Sequence, residues 1–153
     1  MTIMSDDPIG NDTKIPLPAL ALGAAGVLPF IAGGLATLTL PEWSAFATQA
    51  TLFYGAVILS FLGGIRWGFA MHTGIAGKGW FHYVIAVVPS LFAWGALLVP
   101  LVDIGIAMCI LGLVGMLLAD IQLTNQGKAP MWFQKLRLFL TVGACAGLLM
   151  IAL

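Results

Sequence analysis

The sequence predicts an all-α fold, a polytopic membrane bundle of five transmembrane helices. Three observations carry that reading. Hydrophobic residues make up 61% of the 153 and charged residues only 8%, with a mean hydropathy of +1.06. A soluble domain carries about 25% charged residues, so this chain lacks the polar surface to dissolve as a globule. Five stretches reach the roughly 20 apolar residues needed to cross a bilayer. All six Lys and Arg fall on or near alternate connections between those stretches. The length fits one domain, with residues 1–14 as a short polar tail and 15–153 as the transmembrane domain.

The tail, MTIMSDDPIGNDTK, holds three Asp and one Lys. A secretory signal starts basic and a mitochondrial presequence is arginine-rich and poor in acids, so neither is expected here. The first span runs from Pro16 to Leu40 with Pro29 inside. The second runs from about Ala45 to Ala70, and the third from Phe81 to Leu101 with Pro89 inside. Ile104 to Leu123 form the fourth and Leu136 to Leu153 the fifth. Each internal proline removes a helical hydrogen bond and should kink its helix, which a packed bundle tolerates. The third and fourth stretches are nearly continuous. Pro100 followed by Asp103, a good N-cap residue, predicts a tight turn between them.

One side of the membrane receives the tail, the loop MHTGIAGKGW and the loop LTNQGKAPMWFQKLR. Lys14, Arg66, Lys78, Lys128, Lys135 and Arg137 all lie on or near it, while the other side has only Glu42 and Asp103. Basic residues are retained on the cytoplasmic side during insertion, so the expected topology is N-in and C-out. Trp43 would mark the outer boundary, and Trp67, Trp80, Phe81, Tyr83, Trp132 and Phe133 the inner one, as amphipathic rings do at headgroup level. Trp94, in mid-span, is expected to pack inside.

Two charges fall within spans. Arg66 in SFLGGIRWGF and Asp120 in GMLLADIQL both lie near the inner ends of helices running in the same direction. An intramembrane charge usually meets a partner or a water-filled cavity. A structural ion pair between Arg66 and Asp120, with the guanidinium fork on one carboxylate, is the favoured reading. The alternative is that Arg66 snorkels to headgroup phosphates while Asp120 reaches water separately. His72 and His82 flank the same inner loop and form a possible interfacial polar cluster, since His titrates near physiological pH.

Small residues suggest helix seams. Ser60, Gly64 and Gly68 make a small-xxx-small stripe, and Gly63 shares the face of Arg66. These two thin faces predict that the second helix is central. Gly143 and Gly147 form a similar pair in the last helix. Cys109 and Cys145 lie in apolar runs without metal or redox spacing and read as buried structural thiols. No nucleophile elbow, phosphate loop, HExxH or paired-carboxylate arrangement is present, so no catalytic residue, metal site or cofactor is expected. Formal net charge is zero, which gives no global attraction to nucleic acid.

The run YGAVILSFLGGIRWGF (54–69), with APMWFQKLRLFLT (129–141), resembles a family of small membrane proteins of unknown activity. Its members occur in proteobacteria and in mitochondria, where the animal protein is called transmembrane protein 69. The pattern falls on Tyr54, Ser60 to Gly64, Arg66, Trp67 and Gly68, then on Pro130, Trp132, Leu136 and Arg137. The resemblance covers the chain from Pro16 on and implies an inner-membrane protein. It brings no catalytic residue with it. With no mitochondrial presequence expected in the tail, the expected location is a bacterial cytoplasmic (inner) membrane. The expected partners are the lipid bilayer and other membrane protein subunits. The expected role is an accessory or assembly subunit of a larger membrane complex of respiratory or photosynthetic type. A small-solute or proton transporter acting as an oligomer is the alternative.

Overall fold

With no water in a bilayer core, an apolar stretch must satisfy its own backbone, and the α-helix does so within one segment. All five stretches are helical in the computed structural model, which describes residues 14–72 and 80–153, the His72 side chain excepted. Most of the predicted tail and of the loop carrying Lys78 therefore lie outside the described residues, as does the His72 side chain. Helix α1 spans Leu17–Thr39, α2 Ser44–His72, α3 Phe81–Leu98, α4 Val102–Asn125 and α5 Met131–Met150. A 3-10 turn at Pro41–Trp43 leads into α2. No strand occurs among the described residues. Each of the five helices is long and apolar enough to cross a membrane.

Helix α1 packs on α2 and α5, α5 on α4, α4 on α3, and α3 back on α2, which closes a ring. Helix α2 also reaches across to α4 and α5. It therefore holds the central position that its thin faces predict, although in the Ser60–Gly64–Gly68 stripe, among the described residues, Ser60 alone meets a neighbouring helix. Ser60 Oγ donates to Ser90 Oγ of α3 at 2.9 Å. Beside it, buried Gly63 lies so close to the Ala86 carbonyl of α3 that a Cβ would collide with it, and Pro89 Cβ is next to the same spot. On the α1–α5 seam, Gly143 faces Val27, and Gly147 lies against the Phe30 backbone. Tyr54 closes the α1–α2 seam by donating to the Gly26 carbonyl at 3.0 Å, with its ring 5.0 Å from that of Phe30.

Four expectations need correction. Asp103 does not cap α4. The N-cap position is Leu101, which makes no side-chain cap, and Asp103 sits in the first turn, where a carboxylate still complements the helix dipole. Helix α5 starts at Met131 rather than Leu136, because Pro130 ends the loop and its carbonyl accepts from the Phe133 amide at 3.0 Å. Trp94 is 62% exposed on the outside of α3 and does not pack in the bundle. Gly64 and Gly68 are exposed, and a Cβ on either would meet nothing within 4 Å among the described residues. They project from α2 in a different direction from Gly63, since consecutive helical residues lie about 100° apart.

Helix α4 ends in a Schellman turn. Gly127 has φ +69°, its amide donates to Thr124 O at 2.9 Å, and the Lys128 amide donates to Leu123 O at 3.1 Å. Glycine fits here because the left-handed conformation has no Cβ penalty for it. This short reversal brings the start of α5 back beside the end of α4. The centre of the bundle is filled by Phe30, Leu59, Ile106, Cys109, Leu113 and Leu148. Cys109 and Cys145 are free thiols, the first buried and the second half-buried.

Candidate functional site

The polar centre of the molecule forms where α2, α4 and α5 meet near the end that carries the basic residues. Asp120 comes from the last third of α4 and is 2% exposed. Arg66 reaches it from α2, its Nη1 donating to Oδ1 at 3.2 Å. Arg137 reaches it from α5, its Nε donating to Oδ2 at 2.8 Å. Each carboxylate oxygen thus has its own guanidinium, and three helices are tied through one acid. Among the described residues the other acids are Glu42, in the turn before α2, and Asp103, in the first turn of α4, both away from the end that carries Asp120.

The expected pairing of Arg66 with Asp120 is present, but the fork is not. Arg66 makes one hydrogen bond because Arg137 occupies the second oxygen. Arg137 is the residue that sequence reasoning missed as a member of this cluster. A helix starting at Leu136 would have left Arg137 at the membrane boundary. Starting at Met131, it lies more than one turn inside and 5% exposed. Pro130 followed directly by MWFQKL was the signal available, since proline is common just before helix starts.

Two guanidiniums against one carboxylate leave a formal charge of +2 − 1 = +1 in a site where the three side chains are 11%, 6% and 3% exposed. Among the described residues, buried Arg137 Nη2 has no hydrogen-bond partner, and neither has the hydroxyl of Thr141. The two residues are four apart on α5 and so share one face. That face lines a cavity of about 400 Å³, walled otherwise by apolar residues of α1, α2, α4 and α5.

Of the two histidines, His82 occupies the first turn of α3, half-buried, with its ring 6.0 Å from that of Phe81. No ion pair joins it to Asp120. Aromatic rings do gather at the same end of the bundle. Trp67 meets Tyr83 at 4.7 Å, and Phe133 meets both Phe69 at 5.4 Å and Trp132 at 6.1 Å. No group of three His, Cys, Asp or Glu able to hold a metal occurs among the described residues.

Comparison with known proteins adds a family to this geometry. Residues 15–153 match the family described as protein of unknown function (DUF3429). Transmembrane protein 69 of Xenopus tropicalis is 40% identical over 131 residues, covering 84% of this chain and 51% of the relative. Transmembrane protein 69 of Mus musculus is 34% identical over 131 residues, covering 84% of this chain and 53% of the relative. The chain thus spans about half the length of the curated relatives it matches. No solved structure matches it.

Proposed function

The chain belongs to the DUF3429 family, and from that premise we propose that it is a non-catalytic accessory or assembly subunit of a larger membrane complex. The observation that carries this reading is the open glycine face of α2. Gly64 and Gly68 lie exposed on the most central helix of the bundle, with Phe61 and Met71 exposed in register on either side. Glycine costs roughly 0.5–1 kcal/mol relative to alanine inside a helix, and no described residue of this chain packs there to compensate it. Small residues on an outward membrane face let another helix approach closely, where dispersion contacts and weak hydrogen bonds supply the association energy.

The charged cluster supports the same reading. Both oxygens of Asp120 accept from guanidinium groups, which suits a carboxylate that holds helices together better than one that abstracts protons. A transporter would need a polar route through the other half of the bundle. That half is packed with Phe30, Leu52, Cys109, Leu148 and Ile151, and Gln49 is exposed. The proposal includes N-in topology and a bacterial inner membrane, on the strength of the basic end.

Gentle extraction followed by native mass measurement tests the role. Co-purifying subunits that are lost with Gly64→Leu, while the monomer stays folded, are the expected result. A clean homo-oligomer would favour the transporter, and a lone monomer would overturn the accessory role.

A further inference from the structure

The cavity beside the charged cluster has the chemistry of a ligand site. We propose that it binds a single-chain anionic amphiphile, such as a long-chain carboxylate, with its head on Arg137 and Thr141 and its chain along α1 and α2. Three observations lead there. Arg137 is 5% exposed and Thr141 4% exposed, yet Arg137 Nη2 and Thr141 Oγ1 have no partner among the described residues. Buried donors left unpaired are costly, so native structures normally satisfy them. Both orphaned groups can donate, and both residues line the same cavity.

The second observation is charge. The Arg66–Asp120–Arg137 group carries +1 beside this cavity, and a buried charge without a counter-charge is unfavourable. An anionic head would neutralise it, whereas a neutral ligand or water would leave the excess cation in place. The third is shape. Beyond the polar end the walls are apolar, including Leu22, Ile58, Phe61 and Ile65. Leu22 is 76% and Phe61 62% exposed, so the rim between α1 and α2 opens toward the surrounding acyl chains. A volume of about 400 Å³ lies within the usual range of small-molecule sites, about 300–1,000 Å³. Within its walls this space suits one alkyl chain, and the open rim leads the end of that chain to the bilayer.

The test uses the purified full chain in nanodiscs of neutral phosphatidylcholine. Hexadecanoate, hexadecanol and the two-chain anionic lipid phosphatidylglycerol are titrated, and binding is read by native mass and by thermal protection. Hexadecanoate should bind about tenfold or more tightly than hexadecanol, the difference expected of hydrogen bonds to a charged head. Thr141→Val, which removes an unpaired hydroxyl at nearly constant volume, should keep the fold and weaken hexadecanoate several-fold. Ile58→Trp, which fills the cavity away from the charges, should abolish binding with the bundle intact. Equal binding of acid and alcohol, or hexadecanoate binding unchanged by both variants, would overturn head-group recognition at this site. Saturation by phosphatidylglycerol without hexadecanoate binding would overturn the single-chain ligand. Absence of binding by all three would leave water as the occupant and overturn the proposal.

Discussion

At the scale of single residues, charge counting makes the three members of the cluster unequal. Removing Asp120 leaves two buried cations, +2 in all, whereas removing either arginine leaves a neutral pair. Asp120→Leu should therefore be the most damaging change, costing about 3–5 kcal/mol, as expected when a buried charge loses its partner. Arg66→Leu should cost about 1–2 kcal/mol, the size of one polar contact between membrane helices. Arg137→Leu should fall between them, because its 2.8 Å contact is the shorter and the more buried. Unfolding in mixed detergent micelles ranks the three, and equal losses would refute the charge count. Arg66→Lys should be tolerated, since Arg66 uses one nitrogen at 3.2 Å and a point charge can replace it there. A sequence reading that paired Arg66 alone with Asp120 expects the reverse, so this variant separates the two arrangements.

At the scale of elements, two adjacent glycines of α2 report on different surroundings. Gly63→Ala puts a Cβ against the Ala86 carbonyl, a backbone atom that cannot swing aside. Overpacking of this kind costs about 1–3 kcal/mol. Gly64→Ala meets open space and should be neutral, or stabilise the isolated chain by about 0.5–1 kcal/mol through helix propensity. Thermal unfolding of both variants in detergent checks the contrast; the same loss in each would place Gly64 in a seam. Gly127→Ala tests the reversal between α4 and α5. At φ +69° a Cβ costs about 1–2 kcal/mol, and the strain should loosen the start of α5 first. Faster amide exchange at residues 131–137 than in α3 is the expected sign.

At the scale of the whole molecule, the distribution of cations predicts orientation. Lys14, Arg66, Lys128, Lys135 and Arg137 lie at the ends or connections joined to the start of α1, the end of α2 and the α4–α5 turn. With an odd number of spans, the two chain ends should fall on opposite sides, the basic one cytoplasmic. Reporter fusions after Leu40, Val102, Gln126 and Leu153 should read out, out, in and out. A cytoplasmic reading at Leu153 would contradict both the sidedness and the five crossings.

By itself the sequence determined that this is a membrane bundle, how many helices cross, and that Arg66 and Asp120 share a depth. Length and hydropathy decide the spans because an apolar stretch in lipid has few alternatives to the helix. Depth follows from the 1.5 Å rise per residue. Tertiary structure alone decided which way each residue points around its helix axis. In water an amphipathic stripe marks the inward face. In lipid the outside of the bundle is as apolar as its core, so Trp94 inside and Trp94 outside look the same in the sequence. The same loss of contrast hid which glycines of α2 pack: Gly63 on α3, and Gly64 and Gly68 on nothing among the described residues. Arg137 stayed hidden for another reason. Its burial depends on the Gly127 turn and the Pro130 start, which draw the first turns of α5 in beside Asp120.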